Sequence, residues 1–339
     1  MPGSGPGGVP AAIALTPILS ARYRDQDLER IAAAAPGARL VTVSLEGLAD
    51  GPLDDVEVML RGPLPAATFE RILARAPSLA WVHSATAGVE RVLPAARSRD
   101  LTITNARGVF SEPIAEYVLM MMLAIIRRLP QLLELQRERT WQPLLATEMR
   151  DLTVGIVGLG SIGRAVAARS LAFGSRVVAM RRQAADPAGL AAEDPALAGI
   201  ARILGPDQLP ELLAESDMVV LALPLTPDTR DLFDASTFAV MKPGSWLINV
   251  ARGGLVNERD LLRALSTGPM AGAVLDAFRD EPLPPHSPLY GVSNLIITPH
   301  TSWTSGRVLD RSVELFRDNL LRWIAGQPLL NTVDVSKGY

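Results

Sequence analysis

Arg252, Glu281 and His300 stand in the last third of this 339-residue chain, and their side chains, brought together, could carry out anion binding and proton transfer. Each ends an apolar run that reads as a β-strand, or lies in the loop just beyond it: LINV before Arg252, AVLDA before Glu281 and NLIIT before His300. In an open parallel sheet the C-terminal strand ends converge on one crevice, where ligands bind. There a guanidinium can hold a planar carboxylate with two hydrogen bonds, and an imidazole can give a proton to a carbonyl. A carboxylate can keep that imidazole oriented and charged. With a hydride source, such a set could reduce a keto acid. The blander readings are a structural ion pair for Arg252 and a capping or packing role for His300.

The positioning elements come from an alternation of strand and helix, clearest in DLTVGIVGLGSIGRAVAARSLAFGSRVVAM, Asp151 to Met180. Val154 to Val157 reads as a buried strand, Gly158, Gly160 and Gly163 have the G-x-G-x-x-G spacing, and an Ala-rich helix runs to Gly174. Arg176 to Met180 then supplies a second strand and completes a βαβ unit. Gly158 allows the tight turn, Gly160 lets the backbone approach a pyrophosphate, and Gly163 lets helix and strand pack closely. The phosphates would face the free N–H groups of the helix N-terminus. The motif alone is weak, but within this frame it points to a dinucleotide.

Beyond the second strand, NAD sites usually place an acidic residue that accepts from the ribose 2′-OH. Here Arg181 and Arg182 occupy those positions. Two guanidinium groups would attract the 2′-phosphate of NADP(H), so NADPH is favoured over NADH. The competing reading is a pair of solvated charges at a strand end.

The length exceeds that at which one core usually stops growing, so two domains are expected. A formal net charge of -3 gives no electrostatic footprint for nucleic acid, which leaves small molecules as partners. With no cysteine, disulfides, thiolate metal sites and a cysteine nucleophile are excluded, and a cytoplasmic location is compatible. The opening MPGSGPGGVP lacks the basic and apolar regions of a signal peptide and reads as a flexible tail, 1–10. No apolar run has the length of a membrane span. The three histidines show no zinc-ligand spacing, so no metal is expected. Among them, His83 ends a strand and reads as a core residue rather than a pocket residue, while His286 sits in a Pro-rich loop facing solvent.

Strands are expected near Ile13, at Leu40 to Val43, Val56 to Leu60, Leu79 to Ser84 and Leu101 to Thr104, with helices at Asp27 to Ala35 and Ala66 to Ala76. This half has no phosphate loop. The second half adds strands at Val219 to Leu223, Trp246 to Val250, Ala273 to Ala277 and Leu295 to Thr298, with helices at Leu209 to Glu215 and Glu258 to Ser266. Both halves should be parallel and doubly wound. Between them, Glu112 to Trp141 reads as one long apolar helix, suited to a core or, by preference, to dimerisation.

The segments GIVGLGSIG, LALPLTPDTRDLF, MKPGSWLINVARGGLVNERDLLRAL, AVLDAFRDEPLPPHSPLY and NLIITPHTS resemble, in order and spacing, the D-isomer-specific 2-hydroxyacid dehydrogenase family. The resemblance covers most of 80–335. It implies that Arg252 binds the substrate carboxylate and carbonyl, that His300 is the acid/base paired with Glu281, and that the backbone amides of Ala87 and Gly88 hold the carboxylate's other side. It also implies cofactor contacts at Gly158, Leu159, Gly160, Ser161, Ile162 and Gly163, at Leu223, Pro224 and Thr229, and at Val250 and Ala251. Asp276 would face the nicotinamide carboxamide. The implied fold is α/β, with two doubly wound parallel-sheet domains: a Rossmann coenzyme domain at 105–300, including the dimerisation helix, and a flavodoxin-like substrate domain at 11–104 and 301–339. The substrate domain is completed by a final helix near Arg307 to Ala325, and a homodimer forms through the long helix.

The arginine pair resembles the NADPH-preferring glyoxylate/hydroxypyruvate reductase branch, which implies a short 2-keto acid. Many relatives have small residues after the catalytic histidine, where this chain has Thr301, Ser302 and Trp303. That indole could narrow the pocket or pack near the domain hinge, which leaves a larger substrate with NAD as an alternative. Formate dehydrogenases pair their histidine with glutamine where this chain has Glu281. A nucleotide-sensing corepressor or scaffold on the same fold is the remaining rival, disfavoured by the absence of long tails.

Overall fold

The computed structural model describes residues 7–18, 23–89 and 92–335. It divides into two compact units, 1–110 with 305–339, and 111–304. Of the expected tail, residues 1–6 lie outside the described residues, while the Gly8 amide donates to the Ile324 carbonyl at 2.8 Å.

The first unit carries β1 (Ala12–Leu15), β2 (Arg39–Thr42), β3 (Val56–Arg61), β4 (Trp81–Ser84) and β5 (Thr102–Asn105), all parallel, in the order β2-β1-β3-β4-β5. This is the flavodoxin-like order. Helices α1 (Asp25–Ala34), α2 (Ala66–Arg75) and α3 (Leu93–Ser98) lie along its first stretch. The chain returns to this unit at its far end, where Val313, Phe316, Leu320 and Trp323 share a core with Ile13, Leu15, Val58, Leu60 and Trp81.

The second unit opens with α4 (Ser111–Ile126) and α5 (Leu129–Arg137). The single helix expected over Glu112 to Trp141 is therefore two. Pro130 lacks an N–H and its ring would clash with the Ile126 carbonyl one turn earlier, so the chain turns at Arg128, whose φ is 59°. No residue of α5 is buried, and Trp141 beyond it is fully exposed.

The sheet of this unit has β6 (Thr153–Val157), β7 (Arg176–Met180), β8 (Ile200–Leu204), β9 (Met218–Leu221), β10 (Trp246–Asn249), β11 (Gly272–Leu275) and β12 (Leu295–Ile297). Their order is β12-β11-β10-β9-β6-β7-β8, all parallel. This is the doubly wound dinucleotide-binding order with one further strand, and it reverses between β6 and β9. The strands β9 and β11 are buried at every position because helices cover both faces of such a sheet. Those helices are α6 (Ser161–Ala172), α7 (Pro187–Glu193), α8 (Leu209–Glu215), α9 (Ala235–Ala239) and α10 (Glu258–Thr267), with α4 laid against α6. The last helix of the chain, α11 (Val308–Ile324), is the one that rejoins the first unit. Among the described residues, no helix is long and apolar enough to cross a membrane.

Candidate active site

At the reversal point, the glycine loop leaves β6 against the loop that leaves β9. Gly158 has φ 108°, and a side-chain carbon there would come within 2.7 Å of the Ala222 backbone. One on Gly163 would come within 2.0 Å of the Gly158 carbonyl oxygen, so α6 lies on the loop at a distance only glycine permits. Gly160 differs: a carbon built there meets nothing within 4 Å. Exposed backbone in open space, at the N-terminus of a 12-residue helix, fits a pyrophosphate. The Gly158 and Leu159 amides both donate to the Met180 carbonyl, at 3.0 and 3.1 Å, which fixes the loop to the end of β7. Ser161 and Ile162, half-buried, form the first turn of α6.

Arg181 and Arg182 follow β7 directly, half-buried and exposed respectively. Leu223 and Pro224 follow β9, and Thr229 locks that loop: its hydroxyl donates to the Pro224 carbonyl at 2.8 Å and accepts from the Thr226 amide at 2.8 Å. Val250 and Ala251 are buried beyond β10.

Asn249, the last residue of β10, shapes the next turn. Its side-chain oxygen accepts from the Ala251 amide at 3.0 Å and its nitrogen donates to the Arg252 carbonyl at 3.0 Å. Arg252 is half-buried, with one guanidinium nitrogen 2.8 Å from the Ala251 carbonyl. A side-chain carbon on Gly253 would lie 1.9 Å from the Phe278 backbone, so the loops after β10 and β11 are pressed together. The neighbouring loops thus bring Arg252 and Glu281 to the same end of the sheet.

Glu281 uses both carboxylate oxygens. One accepts from the Phe278 amide at 2.9 Å, and the other lies 2.8 Å from His300 Nδ1. A carboxylate offers no proton, so Nδ1 carries the hydrogen and Nε2 is left for exchange with a ligand. His300 is partly exposed, its side chain at 39%, and its φ of 51° is a left-handed conformation uncommon for any residue but glycine.

Asp276 is 1% exposed. Its Oδ1 accepts from the Thr298 hydroxyl at 2.6 Å and the Thr301 amide at 2.8 Å, and its Oδ2 accepts from the Ser302 amide at 2.9 Å. The Thr298 oxygen is also 2.6 Å from the Tyr117 hydroxyl of α4. Asn249 and Thr298 fall within the segments LINVARGG and NLIITPHTS without a role of their own being marked there, and Tyr117 lies outside every such segment. Trp303 is half-buried three residues beyond His300.

Ala87 and Gly88 lie in the first unit, in the loop after β4, where their carbonyls accept from Asn105 Nδ2 at 2.9 Å and from the Thr86 hydroxyl at 2.7 Å. His83 is fully buried in β4, and His286 is exposed in the loop before β12. Among the described residues, no group of three or more potential metal ligands comes together.

Residues 119–302 match the model of the D-isomer specific 2-hydroxyacid dehydrogenase NAD binding domain. A glyoxylate reductase of Korarchaeum cryptofilum is 31% identical over 293 residues, covering 83% of this chain and 82% of that protein. The D-3-phosphoglycerate dehydrogenase of Mycobacterium tuberculosis is 36% identical over 270 residues, 79% of this chain, which spans about half (49%) of that relative's length. A solved D-isomer specific 2-hydroxyacid dehydrogenase from Xanthobacter autotrophicus Py2, in complex with NADPH and MES, superposes with a TM-score of 0.83 at 32% identity, covering 99% of this chain and 100% of that one.

Proposed function

The chain belongs to the D-isomer specific 2-hydroxyacid dehydrogenases, and from that membership we propose that it reduces a short 2-keto acid, of the glyoxylate or hydroxypyruvate kind, to the D-2-hydroxy acid with NADPH. The observation that carries this reading is the His300 Nδ1–Glu281 contact of 2.8 Å, held at the same sheet end as Arg252. A bound nicotinamide supplies the hydride. Arg252 pairs with the substrate carboxylate and polarises the adjacent carbonyl. His300 Nε2 gives its proton to that carbonyl oxygen as the alkoxide forms, while Glu281 holds the Nδ1 hydrogen and balances the imidazolium charge. In the reverse direction the same nitrogen takes the hydroxyl proton.

Support for NADPH comes from Arg181 and Arg182 at the end of β7 and from the NADPH in the Xanthobacter relative. The glyoxylate reductase relative supports a short acid. The D-3-phosphoglycerate dehydrogenase relatives favour a second reading, a larger phosphorylated substrate. We further propose a homodimer, in which a second copy covers the exposed Leu129, Leu132, Leu133, Trp141 and Leu145 along and beyond α5.

Initial rates of NADPH and NADH oxidation with glyoxylate, hydroxypyruvate, pyruvate and the phosphorylated keto acid related to 3-phosphoglycerate test the assignment. The highest kcat/KM is expected for a two- or three-carbon unphosphorylated acid with NADPH. A preference for the phosphorylated acid, or for NADH, would replace it.

A further inference from the structure

We propose that Tyr117 and Thr298 are positioning residues for His300, acting as a relay of hydroxyl groups that ends on the buried carboxylate of Asp276. The proposal rests on the acid/base assignment of His300 made above. Its geometry lies entirely within the unit 111–304.

The donor order follows from valence. The Asp276 carboxylate accepts only, so at 2.6 Å the Thr298 hydroxyl gives its one proton to Oδ1. The Thr298 oxygen can then only accept from Tyr117, 2.6 Å away. Burial of the phenol pushes its pKa up to about 12, with the nearby Asp276 charge adding to the rise, so Tyr117 keeps the proton it donates.

The relay matters because of where it ends. His300 is held at φ 51°, a left-handed conformation that is unfavourable for a residue with a side chain and persists only where the surroundings enforce it. That turn aims the next two amides, of Thr301 and Ser302, at the Asp276 carboxylate, at 2.8 and 2.9 Å. Successive amides around one anion form a nest, and the strained residue between Thr298 and Thr301 is the imidazole donor itself. Thr298 grips the carboxylate from the near side of the turn and the two amides grip it from the far side. Tyr117, from α4 and 181 residues earlier in the chain, fixes the Thr298 rotamer. The His300–Glu281 contact therefore depends on a helix that supplies no group to the reaction.

The test uses Tyr117→Phe, which keeps the ring and removes only the donor, together with Thr298→Val and Thr298→Ser. For Tyr117→Phe, kcat for the best keto acid should fall roughly tenfold, as expected when a buried acceptor loses its partner. The KM for NADPH should change less than about twofold. Thr298→Val should lose at least as much, Thr298→Ser should retain most of the activity, and adding Tyr117→Phe to Thr298→Val should cost little more, because both remove one relay.

A second readout needs no substrate. In ¹⁵N-histidine-labelled protein, with only three histidines in the chain, the Nδ1–H signal assigned by its loss in His300→Ala should broaden or move upfield in Tyr117→Phe and Thr298→Val, and stay in Thr298→Ser. An unchanged signal with unchanged kcat in Tyr117→Phe and Thr298→Val overturns the proposal. A lower melting temperature with kcat per folded molecule unchanged also overturns it, by showing a purely structural contact. A signal that responds in a protein inactive on every keto acid would sustain the positioning and refute the proposed reaction instead. Should Tyr117→Phe fail to fold, the Val and Ser variants of Thr298 decide: equal behaviour of the two refutes the relay.

Discussion

Acidification from about pH 7.5 to about pH 5 should destabilise the protein through His83 by about 2 kcal/mol. The ring is fully buried in β4, with Nδ1 2.7 Å from the Thr104 hydroxyl, whose oxygen also accepts from Trp81 Nε1 at 2.9 Å. Trp81 and Phe316 close over it, with ring centroids at 6.3 and 5.7 Å. Burial pushes its pKa down from 6.5 to about 3, so the fold holds the imidazole neutral where the unfolded chain would protonate it. Between those two values the unfolded state binds the additional proton, and stability rises with pH. The contribution is complete above about pH 6.5 and declines on acidification toward pH 3, by about 1.4 kcal/mol per unit. At pH 5 the unfolded pKa lies about 1.5 units above the solution, which gives the figure of about 2 kcal/mol, a large share of the roughly 5–15 kcal/mol of a typical domain. Urea unfolding of the wild type and of His83→Gln, followed by tryptophan fluorescence at both pH values, measures the difference. The variant is less stable at neutral pH but should lose about 2 kcal/mol less than the wild type on acidification. Parallel stability curves for the two proteins would refute the reasoning.

Replacing the arginine pair by Arg181→Asp with Arg182→Ala should lower the ratio of kcat/KM for NADPH over NADH on the order of tenfold to a hundredfold, since two charge-assisted phosphate partners are lost and a ribose acceptor is gained. Steady-state rates with both cofactors read this directly, and an unchanged ratio would make the arginines ordinary surface charges. Arg252→Lys keeps the charge without the two-pronged fork, so keto acid KM should rise and kcat should fall, each roughly tenfold, while the NADPH dissociation constant measured by fluorescence barely moves. Loss of NADPH binding would indicate a structural arginine. His300→Ala should cost on the order of 10²–10⁴ in the rate of reduction with NADPH still bound, and a smaller loss would mean that another group moves the proton.

The two sheets could be read from the chain because their signals are local. A buried parallel strand is a short apolar run, and Val154 to Val157 before Gly158 or Trp246 to Asn249 before VARGG need no distant partner to be recognised. The strand β8 carried no such signal. Its sequence IARIL contains exposed Ala201 and the partly exposed Arg202, paired with Glu211 and Glu215 of α8, because an edge strand is covered on one side only. The break between α4 and α5 turned on a single proline within an apolar run whose composition spoke for one helix. There the local steric rule outweighed the pattern.

The site divides along the same line. Arg252, Glu281 and His300 could be picked out because each lies at the end of an apolar strand run or in the loop just beyond it, and in a parallel sheet all those loops open on one edge. Adjacent positions of β10, β11 and β12 in the sheet bring their loops together whatever the loops contain. Tyr117, Thr298 and Asn249 could not be found this way, because a tyrosine on an apolar helix or a threonine closing a strand is ordinary in either role. What gives Thr298 its meaning is one proton it must send to Asp276 and another it must receive from a helix 181 residues away. Asp276 shows the limit most plainly: the resemblance marked its place in LDAF, but nothing in the sequence told that Thr298, Thr301 and Ser302 would all donate to its carboxylate. Three donors from both sides of His300 converge on that one buried carboxylate, which is how it orients the acid/base through the backbone.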